Sequence, residues 1–153
     1  MKNNKIAIDI RRATSADSAA IVALDADITG TEKTAYWTDI LDRFAAPKPG
    51  IQHYFLVATA AEGALIGFIV GEIRAWEFGS PPCGWVLALS VSPEHREQGI
   101  GTLLLDALCS ELSRANVTTI RTMVLSSDKV NLSFFRGEGL AAGPYIELEK
   151  HLE

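Results

Sequence analysis

A short glycine-containing stretch links two apolar runs of different period, and this arrangement limits the fold more than any other feature. The first run, residues 85–91 (WVLALSV), is largely apolar at consecutive positions, as in a strand buried on both faces. The second run, residues 101–115, has the four-residue leucine spacing of an amphipathic helix, at Leu104, Leu108 and Leu112. A strand followed at once by such a helix indicates an α/β fold in which the helix lies on the sheet.

The linking stretch, residues 95–101 (HREQGIG), is chemically suited to an anion. It opens a helix, where unpaired backbone N–H groups favour negative charge, and Arg96 adds a cation. Two familiar phosphate loops are excluded: the third glycine of a dinucleotide motif would fall on Leu104, and no Lys-Ser or Lys-Thr pair follows Gly101. The RxxGxG spacing leaves two interpretations open, a pyrophosphate cradle or a tight turn that only allows close helix packing.

The rest of the chain continues the mixture of strands and helices. Its patterns predict further strands at residues 6–11, 54–58, 65–73, 117–125 and 145–148, and further helices at residues 16–28, 32–46 and 128–137. No repeat, linker or low-complexity tract divides the sequence. We therefore expect one domain over residues 1–153.

Composition disfavours several classes of function. Lys and Arg number 14 against 19 Asp and Glu, a net charge of -5 that disfavours nucleic acid as a partner. The two cysteines, Cys83 and Cys109, lack a metal-ligand spacing, so neither a metal site nor a disulfide framework is expected. Asp9 interrupts the first apolar stretch, and no apolar run approaches the roughly 20 residues of a membrane span. We expect a soluble, cytoplasmic protein without a membrane partner.

Two segments carry a resemblance to a known family. They are LSVSPEHREQGIGTLLL at residues 89–105, preceded by a strand meander, and NLSFFRGEGL at residues 131–140. With the order of elements, they resemble the GNAT superfamily of acyl-CoA-dependent N-acyltransferases over nearly the whole chain. The resemblance implies an α/β (more strictly α+β) single domain. Its central sheet would be mixed, mostly antiparallel, with about six to seven strands, flanked by about four helices.

The same resemblance implies a cofactor site for acetyl-CoA and no metal. The backbone of Leu89, Ser90 and Val91 would pair with the pantetheine arm, and a Val91 N–H would meet the oxyanion. The loop residues implied to hold the pyrophosphate are Arg96, Glu97, Gln98, Gly99, Ile100, Gly101 and Thr102.

The late helix departs from the family pattern. When Gly139 is placed on the family glycine, Phe135 takes the position of the usual tyrosine, the general acid for the leaving sulfur. Asn131 lies three residues from the family asparagine position, where it either faces the cofactor or caps the helix. Residues 85–91 contain no acid, so Glu72 on the preceding strand is the nearest candidate base; a solvated strand-end charge is the alternative.

These features predict an N-acetyltransferase in which a primary amine attacks acetyl-CoA directly in a ternary complex. The alternative is a coenzyme A-binding regulatory module with weak or no catalysis, which Phe135 would permit. A nucleotide-binding protein of another superfamily is a third, less favoured interpretation. The acceptor would be a small-molecule or a protein or peptide amine. Three tryptophans and a proline-rich turn could supply the contact of a homodimer.

Overall fold

A computed structural model describes residues 6–46 and 52–153, which group into two compact units, Met1–Met123 and Val124–Glu153. The first unit contains the sheet and three helices, and the second contains the late helix and the C-terminal segment. No helix within the described ranges combines the length and apolar character needed to cross a membrane.

The sheet of the first unit follows the order of the chain. Its strands are β1 (Ile8–Arg12), β2 (His53–Ala60), β3 (Leu65–Arg74), β4 (Cys83–Val91) and β5 (Ile120–Arg121). The first four pair antiparallel and β5 joins β4 in parallel. The predicted mixed, mostly antiparallel sheet is confirmed. The predicted number of six to seven strands is wrong, because the described residues form five.

Helices cover both faces of this sheet. On one face, α1 (Ser18–Thr29) and α2 (Thr34–Phe44) pack on side chains that include Phe55 and Phe68, and Trp37 is buried among them. On the other face lies α3 (Ile100–Arg114). With α4 (Lys129–Gly137) in the second unit, the four predicted helices are confirmed.

Glycines in the sheet make room for the leucines of α3. A Cβ added at Gly71 would lie 2.8 Å from a Leu108 methyl carbon, and one at Gly84 would lie 2.5 Å from a Leu112 methyl carbon. Those distances are shorter than van der Waals contact, so only glycine lets the helix approach this closely. The leucines whose spacing was read from the sequence therefore form the face of α3 that packs on the sheet. This packing also positions the glycine loop at the N-terminus of α3.

Charged side chains fix the start of α1. The Asp17 carboxylate accepts hydrogen bonds from both terminal nitrogens of Arg11 at 2.8 Å and from the Thr14 N–H at 2.8 Å. The bond from Arg11 is the main reason that the pKa of Asp17 lies below its ordinary value. Nearby, the buried Asp25 accepts from Lys33 and from the Trp37 indole, both at 2.9 Å.

Two strands predicted from sequence differ in the structure. Residues 117–125 form a strand only at Ile120–Arg121, and residues 145–148 form none. Both segments have a strand pattern, but a strand forms only where its backbone pairs with that of a neighbouring strand. Within the described part of the chain, neither segment pairs over its full length.

Candidate active site

Within the first unit, no described strand pairs with the backbone edge of β4 beside the glycine loop. Pairing with β5 covers only Gly84 and Trp85, although Thr122 Oγ1 still donates to the Val86 C=O at 3.1 Å. Farther along, Val91 faces Gly67 of β3, and the next N–H, that of Ser92, donates to the Ile66 C=O at 2.8 Å. Because successive backbone groups alternate in direction, the N–H groups of Leu89 and Val91 point away from β3. They point toward the side on which β5 has already ended.

A bulge in β4 produces this orientation. Gly71 pairs with Val86 and Val70 pairs with Ala88, so Leu87 is an extra residue without a partner on β3. Before the bulge, the backbone N–H groups of even-numbered residues point toward the β5 side, as the bond from the Gly84 N–H to the Thr119 C=O shows. After the bulge, the backbone N–H groups of odd-numbered residues point toward that side. The bulge thus turns Leu89 and Val91 toward the open edge.

The glycine loop brings the start of a helix to the same end of the sheet. A single 3-10 turn, Pro93–His95, follows β4, and α3 begins after Gly99, whose φ of 78° favours glycine. No side chain of the described residues caps α3, and its first turn carries no acidic residue. Apart from its neighbours along the chain, a Cβ at Gly99 would find no atom of the described residues within 4 Å, so its outer side is open. Such a helix start suits an anion.

Three further features of the loop fit a bound anionic group. Arg96 is exposed and makes no ion pair among the residues that the structure describes. Glu97 has a φ of 62°, a left-handed conformation that is strained for a residue with a side chain. The buried His95 Nδ1 has no hydrogen-bond partner within the described ranges. Buried polar atoms are usually paired, so this nitrogen is suited to a ligand or to water.

Glu72 lies at the other end of β3. It pairs with Trp85, whereas Gly67, five residues earlier, pairs with Val91. At about 3.3 Å per residue, Glu72 and Val91 are separated by about 16 Å along the strands. The Glu72 side chain is 13% exposed, and its two oxygens lie beside the Arg74 Nε and, at 3.5 Å, the His53 Nε2. Its carboxylate therefore contacts two nitrogen groups and lies far from the open edge of β4.

In the second unit, Asn131 belongs to the start of α4. Asp128 is the N-cap residue and accepts from the Asn131 backbone N–H at 3.0 Å and from its Nδ2 at 2.7 Å. Asn131 thus assists a cap that Asp128 makes. Phe135 is the buried residue of this helix, 8% exposed, with an edge-on contact to Phe134.

The same helix borders an open pocket within the second unit. The pocket has a volume of about 480 Å³, and its lining residues are Val124, Ser126, Lys129, Leu132, Ser133 and Arg136. Four of them recur on one face of α4 at the spacing i, i+3, i+4 and i+7. Two cations and two hydroxyl groups make this lining suitable for an anionic group.

Sequence reasoning missed the bulge and the pocket. Nothing in the apolar run at residues 85–91 marks Leu87 as the extra residue, because a bulge depends on the register of the partner strand. The pocket did have a signal, the spacing of Lys129, Leu132, Ser133 and Arg136 along a short helix.

Comparison with known proteins points to one family. The sequence profile of the acetyltransferase (GNAT) family matches residues 20–140. An L-2,4-diaminobutyric acid acetyltransferase from Nocardia farcinica is 28% identical over 97 residues, which are 60% of this chain and 49% of that protein. The chain therefore spans about half the length of this curated relative.

Solved structures agree on the fold. The aminoglycoside N-acetyltransferase AAC(6')-Iy in complex with CoA has a TM-score of 0.81 at 13% identity, with 99% of each chain covered. A ribosomal-protein-alanine N-acetyltransferase from Brucella melitensis biovar Abortus 2308 has a TM-score of 0.75 at 18% identity, covering 96% of this chain and 100% of that one.

Proposed function

The chain belongs to the acetyltransferase (GNAT) family, and we propose that it transfers an acetyl group from acetyl-CoA to a small primary amine. The observation that carries the proposal is that two sets of backbone N–H donors lie at one end of the sheet. One set is the uncapped start of α3 after Gly99, and the other is the outward-facing backbone of Leu89 and Val91.

These two sets match different parts of acetyl-CoA. The start of α3 and Arg96, with the loop through Thr102, would hold the pyrophosphate, since backbone N–H groups and an unpaired guanidinium suit an anion. The open edge of β4 would pair with the amide-containing pantetheine arm as a neighbouring strand does. The elements suited to binding therefore lie next to one another in sequence and in space.

The thioester supplies the acetyl group, and the chain's residues orient and stabilise the reaction. An amine nitrogen forms the new C–N bond while the C–S bond breaks and the sulfur leaves as a thiolate. The outward-facing Val91 N–H would donate to the acyl oxygen as negative charge develops there, and such a donor contributes about 3 kcal/mol in other acyl transfers. No covalent intermediate on the protein is required.

The amine must lose a proton before it attacks, because an ammonium has no lone pair. Glu72 is about 16 Å along the strands from Val91, so it could accept that proton only through a chain of several waters. Its contacts with Arg74 and His53 favour a role in holding the strand ends together. We therefore infer that the amine reaches its neutral form largely through solvent, and that the rate rises with pH.

Phe135 cannot protonate the leaving sulfur. A thiolate still leaves tolerably without an acid, since the pKa of an alkyl thiol is about 8.5. The expected consequence is a slower enzyme that keeps its reaction.

Relatives support a small amine as the acceptor. The Nocardia farcinica relative is named for diaminobutyric acid, and several structures of the same fold are aminoglycoside acetyltransferases. The ribosomal-protein-alanine N-acetyltransferase shares the fold too, so a peptide amine belongs in any test. Cys83 and Cys109 are thiols and not a disulfide, which suits the reducing cytoplasm as the place of action.

The cofactor site is tested by calorimetric titration of acetyl-CoA. Wild type should bind, and Arg96→Ala should weaken binding about tenfold or more, because a charge-assisted contact to phosphate contributes about 1.5–3 kcal/mol. Arg114→Ala is the matched control, since Arg114 is 71% exposed at the far end of the same helix and pairs with Glu111. Absence of binding by wild type, or equal losses in the two variants, would contradict the assignment.

A further inference from the structure

Glu97 occupies an unusual position for a carboxylate. It lies in the glycine loop just before Gly99, and its φ of 62° is a left-handed conformation that glycine adopts without strain. Its side chain is exposed and forms no ion pair with any residue that the structure describes. Neither burial nor pairing therefore accounts for a side chain at this position. Backbone strain of this kind is commonly found where a residue has a functional role.

The charge of Glu97 opposes the anion that the loop is suited to hold. Arg96 and the start of α3 favour negative charge, and the first turn of α3 carries no acidic residue. Two residues of chain span about 7 Å at most, so the Glu97 carboxylate comes to roughly 8 Å from a phosphate group bound at Gly99. At about 0.1 M salt the Debye length is about 10 Å, so repulsion acts across this distance. The loop thus attracts anions through its backbone and opposes them through this one side chain.

Repulsion of this kind grows with the charge of the ligand. The pyrophosphate of coenzyme A carries about two negative charges, whereas the triphosphate of ATP carries about four. Acetyl-CoA can offset the repulsion because its pantetheine arm would pair with the backbone of β4 beyond β5, and a nucleotide has no such arm. The Glu97 carboxylate therefore weakens the binding of a nucleoside triphosphate more than that of acetyl-CoA.

We propose that Glu97 is a specificity-determining residue that keeps nucleoside triphosphates out of the glycine loop. An unpaired like charge that faces a competing ligand produces selectivity without any added contact to the preferred ligand. This inference rests on the proposed function, since it takes acetyl-CoA as the ligand of the loop. The backbone of the loop binds the phosphate groups, and the Glu97 side chain limits how much charge they carry.

A charge series at residue 97 tests the proposal. Wild type, Glu97→Gln and Glu97→Lys differ by one unit of charge at each step, and calorimetry measures the dissociation constants of acetyl-CoA and of magnesium-free ATP. Across roughly 8 Å at about 0.05 M salt, each step should tighten acetyl-CoA binding about threefold and ATP binding about tenfold. At about 1 M salt, where the Debye length is about 3 Å, both effects should disappear.

Glu77→Gln and Glu77→Lys form the matched control series. Glu77 is also exposed and lies in the turn between β3 and β4, at the end of the sheet away from Val91. The same changes in net charge there should leave both dissociation constants within about twofold of wild type.

Three results would overturn the inference while leaving the proposed function intact. They are unchanged ATP binding along the series at residue 97, equal tightening of the two ligands there, and equal effects in the two series. A wild type that fails to bind acetyl-CoA would overturn the proposed function together with the inference.

Discussion

The packing of α3 on the sheet can be tested at Gly84 and Leu112. The three atoms nearest to a Cβ at Gly84 would all belong to the Leu112 side chain, with Cδ1 at 2.5 Å, Cδ2 at 3.1 Å and Cγ at 3.3 Å. Gly84→Ala should therefore lower the free energy of unfolding by about 1–3 kcal/mol, the usual cost of overpacking. Leu112→Ala, at a residue 3% exposed, should cost about 3 kcal/mol through lost burial and a cavity.

The double variant separates this contact from general damage. In the double variant Gly84→Ala with Leu112→Ala, the new methyl group enters the space that the leucine left. Its loss in free energy of unfolding should therefore be smaller than the sum of the two single losses by about 1–2 kcal/mol. Urea unfolding followed by circular dichroism measures all three. Gly137→Ala is the control, since a Cβ there meets nothing within 4 Å, and it should be neutral or slightly stabilising. Losses that add within about 0.3–0.5 kcal/mol would refute the reasoning.

Three further outcomes follow from single residues. Because Arg11 lowers the pKa of Asp17, their ion pair stabilises the fold above the ordinary value of 3.8 and is lost as pH falls through the lowered pKa. Asp17→Asn should thus cost about 1 kcal/mol at pH 7 in urea unfolding, and a difference that does not shrink as the pH falls below 3.8 would argue otherwise. Glu72→Gln should change kcat less than about threefold in steady-state kinetics and leave the rise of rate with pH, whereas a hundredfold loss of kcat at constant KM would make Glu72 the base. Phe135→Tyr should raise kcat in the same assay if acid assistance limits the rate, and an unchanged kcat with intact folding and cofactor binding would count against that limit.

Much of the fold follows from local patterns in the sequence. The spacing of Leu104, Leu108 and Leu112 predicted α3 and the face it buries, and the three antiparallel strands before it were read from their apolar runs. The failures at residues 117–125 and 145–148 have one cause. A strand pattern indicates that a segment can form a strand. Whether it does depends on a partner strand, which the segment's own residues do not identify.

The part of the candidate site that could be predicted from sequence is the part where one residue type is needed for the backbone conformation. Gly99 sits at a positive φ at the start of α3, as the motif requires. The bulge at Leu87, the distance from Glu72 to Val91 and the unpaired His95 Nδ1 depend on register and packing, so no local pattern contained them. The roles of Glu72, Val91 and Asn131 stay predictions, because assigning a role requires the position of the ligand as well as that of the residue.

The most direct measurement is the release of free thiol from acetyl-CoA, followed across a panel of diamines, amino acids, aminoglycosides and short peptides. The account predicts thiol release that requires a small primary amine, with a rate that rises with pH. Saturable binding of acetyl-CoA without amine-dependent thiol release, at any pH, would contradict it and would favour a coenzyme A-binding module instead.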